Sequence, residues 1–289
     1  MTNPRNYLFT LEDGLEMRES QEYARDKLYA VQAYLQMARR AMRAKPWSAF
    51  NYIDLQAGPG KNRIGDKILL GSPLLALNID PPFTHYWFNE WSASTFTALE
   101  QRISASPNAS KVHLFQKDVN EAVDIIVESI TEMDKQARND KKWSTFNVAF
   151  LDPEGLEITW HTVERLAQVA RMDLIINFST SGINRNLHQA EVIDRFYGSQ
   201  QWRTSVSNSN PKSSRRRQFI DIYRDQLESF GYYIATDDTI GYHDIVMRNS
   251  KNAEVYSLIF ASKHALGDDF WSKVKQQIEK IRHGSDRLL

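Results

Sequence analysis

Asn51-Tyr-Ile-Asp-Leu-Gln-Ala-Gly-Pro-Gly60 decides the fold. A short apolar run ends in the acid Asp54, and four residues later come Gly58, Pro59 and Gly60. A first parallel strand running into a ligand-binding turn has this form. Glycines let the backbone approach a ligand closely, and the acid before them can bind a polar group. The dinucleotide fingerprint wants a third glycine three residues on, where this chain has Arg63, and Pro59 stiffens the turn. The order Asp-x-x-Ala-Gly-x-Gly therefore suits a methyl-donor nucleoside better than a dinucleotide.

Upstream, residues 20–44 read as one long helix. Ala24, Leu28, Val31, Leu35, Ala38 and Met42 share a face at three- and four-residue spacing. Its last turns carry Arg39, Arg40, Arg43 and Lys45, which favour the helix dipole or make a phosphate-binding lip. Downstream, Lys61 to Lys67 reads as a polar loop, and Ser72 and Pro73 open a short helix. Strands are expected at 49–55, 84–89, 112–118, 147–152 and 173–178, with helices at 92–104, 119–138 and 159–171 between them. The segment 187–230 reads as mostly helical, with a polar loop at 205–214. Strands are expected again at 231–237 and 255–262, and a closing helix at 268–282. Strands alternating with helices imply parallel βαβ units. The fold class is α/β, a doubly wound Rossmann-like sheet, mostly parallel with a terminal antiparallel strand. A helical extension over 1–48 precedes a domain over 49–289 that carries the helical insert.

Composition narrows the chemistry. The 289 residues are 42% hydrophobic and 25% charged, an ordinary globular balance, and the formal net charge is zero, so any nucleic-acid surface has to be local. The absence of cysteine excludes disulfides, thiolate metal sites and covalent attack on a pyrimidine ring carbon. The seven histidines show no metal spacing. No apolar run approaches the ~18 residues of a membrane span, and residues 1–10 lack a signal-peptide pattern, so a cytoplasmic protein without membrane attachment is expected.

In open α/β sheets the ligand sits at the carboxyl ends of the strands. Here those ends carry Asp54, Glu90, Asp118 and Asp152, with Asn177 inside the fifth strand. Any one acid can be a helix cap. Four in register around a glycine turn indicate a pocket. Glu90 is placed to accept from two ribose hydroxyls and Asp118 from an adenine amine. Asp54 with the backbone of Ala57, Gly58 and Gly60 is placed to hold the amino-acid half of S-adenosyl-L-methionine (SAM). The step from Asp54 to Glu90 exceeds the usual ~20 residues, part of it taken up by the insertion at 61–71.

These residues resemble the three-Cys-motif partner family, TcmP, through Asp54-Leu-Gln-Ala-Gly-Pro-Gly-Lys-Asn-Arg63, Gly71-Ser-Pro-Leu-Leu-Ala-Leu77, Phe150-Leu-Asp-Pro-Glu-Gly-Leu156, Ile176-Asn-Phe178 with Asn184-Arg-Asn186, and Phe260-Ala-Ser-Lys-His264 before Asp269-Phe-Trp271. The resemblance spans most of the chain. It implies a fold similar to class I SAM-dependent methyltransferases and a partner protein carrying three cysteines. The chain departs from that pattern at Gln56 and Glu154.

Asp152, Pro153 and Glu154 are the candidate catalytic residues, facing the methyl group. Base-amine methyltransferases commonly follow Asp-Pro with an aromatic that stacks on a flipped base. Glu154 can accept from an amine but cannot stack, so either another aromatic serves or the acceptor is not a base. Candidate substrate contacts are Lys61 and Arg63 in the inserted loop, Asn184 and Arg185 after the fifth strand, and Arg215 and Arg216 opening a helix. Each also fits a structural or solvated role. Two readings follow: a SAM-dependent methyltransferase acting on an RNA or DNA base amine, or a catalytically silent methyltransferase fold working with a three-Cys protein.

Overall fold

The computed structural model describes residues 9–207, 215–233, 236–237, 241–242 and 244–282. Strands β1 (Phe9–Thr10) and β2 (Arg18–Glu19) precede helix α1 (Tyr23–Met42). Strand β3 (Phe50–Asp54) enters the glycine turn, then β4 (Lys61–Ile64) and β5 (Lys67–Leu70) lead to α2 (Ser72–Leu77). Next come β6 (His85–Asn89), α3 (Ala93–Ser104), β7 (Val112–Phe115), α4 (Val119–Asn139), β8 (Phe146–Leu151), α5 (Trp160–Ala167) and β9 (Met172–Phe178) in alternation. Four helices follow: α6 (Thr180–Arg185), α7 (Ala190–Tyr197), α8 (Gln201–Ser207) and α9 (Arg215–Glu228). The chain then forms β10 (Thr236–Asp237), β11 (Gly241–Tyr242), β12 (Ile245–Arg248), β13 (Glu254–Ala261) and α10 (Ala265–Arg282).

The central sheet has the order β12-β13-β9-β8-β3-β6-β7. Neighbours from β9 to β7 are parallel, and β13 runs antiparallel to both β9 and β12. This is the expected Rossmann-like sheet with an antiparallel last strand. The chain steps from β3 outward to β6 and β7, then returns to β8 on the other side of β3. The strand order reverses there, and the crevice of such a sheet opens at that point. Strands β3, β8 and β9 are buried along their whole length, as strands covered on both faces must be. One face is covered by α1, α2 and α10 through Leu28, Val31, Leu35, Leu75, Trp271 and Val274, the other by α4, α5, α7 and α9 through Val123, Ile126, Val163, Phe196 and Tyr223.

Three local expectations need correction. The loop expected at 61–67 is a hairpin, because Gly65 takes φ +56° and with Asp66 makes the two-residue turn between β4 and β5. Together with β1 and β2 it builds a separate four-stranded sheet, β1-β5-β4-β2. Of the strand expected at 231–237, Thr236–Asp237 forms β10, paired with β11, and Tyr233 makes a single bridge to Ser262, while the strand that pairs with β13 lies at 245–248, where none was expected. Residues 234–235, 208–214 of the expected polar loop, and His243 lie outside the described residues. Arg39 does not join a phosphate lip. It is buried, with its guanidinium carbon 3.7 Å from the Phe50 ring centroid and a 2.9 Å bond from Nη2 to the Pro82 carbonyl, at the end of β3 opposite the glycine turn.

Candidate active site

The glycine turn is held open by backbone geometry. Gly58 and Gly60 take φ +64° and +88°, where a side chain is strained. A Cβ on Gly60 would meet Leu74 at 3.1 Å and Leu99 at 3.2 Å. Gly71 donates to the Gly60 carbonyl at 2.7 Å, and a Cβ on Gly71 would lie 3.0 Å from that carbonyl. The hairpin of β4 and β5 thus leaves and rejoins the turn at one point, and α2 still starts there.

Asn89 joins the neighbouring strand ends by donating to the carbonyls of Leu55 and Lys117 and accepting from Lys117 N–H. Beside it, Glu90 accepts from Gly58 N–H through Oε2 and from Ser92 N–H through Oε1, each at 2.9 Å. A carboxylate has about four acceptor positions, so two remain for a ligand. Asp118 caps α4, with Oδ1 accepting from Asn120 N–H at 2.8 Å, and it is exposed.

Two cavities meet over this frame. One, about 450 Å³, is lined by Glu90, Trp91, Asp118, Val119 and Leu55. The other, about 360 Å³, is lined by Lys27, Tyr23, Tyr256, Asn177, Ser179 and Arg185. Their shared wall is Arg18, Gln56, Gly58, Pro59, Asp152 and Glu154. Both fall within the usual range for small-ligand sites.

Asp152, just past β8, is buried and has three bonds. Lys27 Nζ donates to Oδ1 at 2.8 Å and to Oδ2 at 2.6 Å, and Asn177 Nδ2 donates to Oδ1 at 2.7 Å. Burial pushes its carboxyl up, but the charges of Lys27 and Arg18 and the bonds from Lys27 and Asn177 outweigh it, leaving Asp152 below the usual carboxylate range. Glu154 is 76% exposed at its side chain and pairs with Arg18 at 2.5 Å on the wall shared by both cavities. Pro153 lines the second cavity. Glu157 organises this turn, accepting from the backbone N–H of Glu154 and Gly155 and from the Gln56 amide.

Several buried polar atoms on these walls have no partner: Gln56 Oε1, Asn177 Oδ1 and Tyr256 Oη. Such atoms are costly unless a ligand or water satisfies them. Asp54 behaves differently from its expected role. It lies beneath the turn, fully buried, and lines neither cavity. Its Oδ1 is unpartnered, Oδ2 accepts from Tyr52 at 3.3 Å, and its link to the cavity passes through Ser72. Burial raises its pKa to about 7, against opposing pulls from Ser72 and Tyr52.

The expected substrate contacts divide. Arg185 lines the second cavity, whereas Asn184 on the same short helix does not. Lys61 and Arg63 line neither cavity. Lys61 pairs with Asp13 at 2.8 Å and donates to the Leu11 carbonyl, and Arg63 pairs with Glu12 at 2.7 Å. Both tether the segment before α1 to the hairpin. Arg102 completes that tether by holding Asp13 and donating to the carbonyls of Glu16 and Pro59. Arg215 and Arg216 open α9, and their side chains lie outside the described residues.

Sequence reasoning missed Lys27, Arg18, Trp91 and Tyr256. Lys27 precedes an apolar stripe residue and looks like any solvated helix lysine. Trp91 had a usable signal, since it directly follows Glu90 at a strand end, and in the structure it is 69% exposed.

No family model matches the chain, and no curated protein matches it. Among solved structures it is similar to an O-methyltransferase of Streptomyces achromogenes involved in tomaymycin synthesis, in complex with SAM, at 11% identity over 81% of this chain and 79% of that one, TM-score 0.41. It is also similar to a geranyl diphosphate methyltransferase in complex with geranyl diphosphate and sinefungin, at 12% identity over 84% and 83%, TM-score 0.36. A protein of Legionella pneumophila aligns at 12% identity over 60% and 73%, TM-score 0.41. Likeness at this level decides nothing about activity, and the fold assignment rests on the strand order of the chain itself.

Proposed function

We propose that the chain is a SAM-dependent methyltransferase acting on an exocyclic amine of a nucleic-acid base. The observation that carries this reading is the pair of cavities at the strand carboxyl ends, which share one wall of Arg18, Gln56, Gly58, Pro59, Asp152 and Glu154. Methyl transfer needs a donor compartment and an acceptor compartment meeting at one wall. The residues present fit the donor. Glu90 keeps two acceptor positions for ribose hydroxyls, Asp118 is exposed at the same cavity, Trp91 offers a face for a purine, and the unpartnered Gln56 Oε1 can take an ammonium N–H. When bound, SAM supplies an electrophilic methyl group.

On the acceptor side, a primary amine brings two N–H donors. Asp152 Oδ2 and the unpartnered Asn177 Oδ1 offer two acceptors. Holding both N–H groups fixes the orientation of the nitrogen. Tyr23 and Tyr256, edge to face at 5.4 Å, supply the aromatic surface that Glu154 does not. Arg185, an expected substrate contact that lines this cavity, is the cation placed to meet a phosphate, which supports a nucleic-acid substrate despite zero net charge.

A second reading has its own observation. Lys27 occupies both oxygens of Asp152, and Arg18 closes on Glu154 across the wall, as in a fold kept for partner binding. The resemblance to three-Cys-motif partners supports that alternative. Calorimetry with S-adenosylhomocysteine and tritium transfer from SAM to total RNA, DNA and protein separate the two. Cofactor binding with transfer to nucleic acid is expected. Binding without transfer to any pool favours the silent partner, and no binding at millimolar cofactor sinks both the donor site and the reaction.

A further inference from the structure

The helix that precedes the alternating strands sends a cation into the acceptor cavity. Lys27 and Asp152 are 13% and 10% exposed at their side chains, in the same wall as Arg18 and near Arg185. Resting on the methyltransferase reading, we infer that Lys27 selects the acceptor. Its ammonium, held on Asp152, makes the cavity take a neutral nucleophile carried by a polyanion, a nucleic-acid strand, and reject the protonated amine of a protein lysine.

The acceptor positions can be counted. Of about four on the Asp152 carboxylate, Lys27 fills one on each oxygen and Asn177 one on Oδ1. One position on Oδ2 and the orphan Asn177 Oδ1 remain. Two acceptors match the two N–H groups of a neutral –NH2. A protonated alkylamine brings three donors and a full charge. The carboxylate that would have attracted that charge is already neutralised by Lys27, Arg18 is paired with Glu154, and the unpaired Arg185 repels it. Arg185 makes no ion pair among the described residues. Glu19, the third carboxylate of the lining, lies 3.6 Å from Arg63, so Arg185 is the cation left to meet a phosphate. Lys27 also lies 5.7 Å from the Tyr256 ring centroid, so the selecting charge and the aromatic wall are adjacent.

The test is binding by fluorescence anisotropy to the full chain loaded with S-adenosylhomocysteine. The probes are a labelled single-stranded RNA oligomer of mixed sequence and a labelled lysine-containing peptide of equal length. The wild type is expected to bind the RNA and not the peptide. Lys27→Met is expected to lose about tenfold in RNA affinity and to gain peptide binding, since the bared carboxylate now attracts cations. Lys27→Arg, which keeps the charge, restores RNA affinity to within about threefold of wild type. Where Lys27→Met does not fold by circular dichroism, Arg185→Ser carries the test, with weaker RNA binding and a salt slope reduced by about one. Tighter binding of the peptide than of RNA by the wild type, binding of neither probe, or wild-type RNA affinity in a folded Lys27→Met protein or, in its place, Arg185→Ser overturns the inference. Failure of the wild type to bind S-adenosylhomocysteine in calorimetry overturns instead the methyltransferase reading beneath it.

Discussion

Lys27 Nζ lies 2.8 Å and 2.6 Å from the two carboxylate oxygens of Asp152, joining helix α1 to the end of β8. Neither partner is well solvated, so removing one leaves the other charged and buried. Breaking such a pair typically costs 3–5 kcal/mol, while removing both charges together costs far less. Lys27→Met is therefore expected to lower stability at neutral pH by about 3 kcal/mol, and Lys27→Met with Asp152→Asn to recover most of it. Urea titrations of the two variants check this, and equal losses in both would show the pair to be energetically idle.

Gly60 and Gly58 separate conformational from steric cost. Both have positive φ, but only Gly60 has side chains where its Cβ would sit. Gly58→Ala is expected to cost about 1 kcal/mol and Gly60→Ala about 2 kcal/mol or more, because Leu74 and Leu99 must also shift. Thermal unfolding ranks them. Affinity for S-adenosylhomocysteine should fall further in Gly60→Ala, whose distortion reaches the cavity wall.

Arg102 holds the segment before α1 against the glycine turn. Its side chain is 4% exposed and meets Asp13 and the carbonyls of Glu16 and Pro59. The hydrogen bonds from Arg102 keep the Asp13 carboxyl well below its ordinary range, against a smaller rise from burial. Arg102→Leu is expected to destabilise by about 3 kcal/mol. Hydrogen exchange should rise first in residues 9–20. Unchanged protection there would mean that the strand pairs with β4 and β5 suffice to hold the segment.

Trp91 is 69% exposed beside Glu90 and packs into no core. Trp91→Ala should leave stability within about 0.5 kcal/mol of wild type. If its ring stacks on a purine, the loss is about 1 kcal/mol, near fivefold in affinity for S-adenosylhomocysteine. Calorimetry measures this directly, and an unchanged affinity removes Trp91 from the site.

Asp54 gives stability a pH signature. Its folded pKa of about 7 lies above the ordinary 3.8, because burial disfavours the charge. From about pH 4 to pH 7 the unfolded chain loses this proton while the folded chain keeps it. Stability contributed by this group therefore falls as pH rises through that window, by up to ~1.4 kcal/mol per unit, and levels off above it. Asp54→Asn should flatten the decline and gain on wild type at pH 8. Parallel melting curves of the two proteins between pH 5 and 8 would contradict the shift.

The sequence by itself determined the parallel strands of the central sheet and the acids at their ends. Asp54, Glu90, Asp118 and Asp152 each follow an apolar run, and strand periodicity with glycine placement are local properties that a chain carries without its fold. It determined the glycine turn for the same reason, since Gly58 and Gly60 meet a backbone requirement. The hairpin at 61–70 had its turn signal in Gly65-Asp66, but the polar first strand, Lys61-Asn-Arg-Ile64, concealed it. What the tertiary structure alone decided was who meets whom. Asp54 went under the floor, Lys61 and Arg63 went to the tether, and Lys27, 125 residues from Asp152, came to its carboxylate. Pairing across such separations depends on how α1 packs on the finished sheet. No local pattern records it, because a lysine beside an apolar stripe has the same sequence signature whether it faces water or a buried acid.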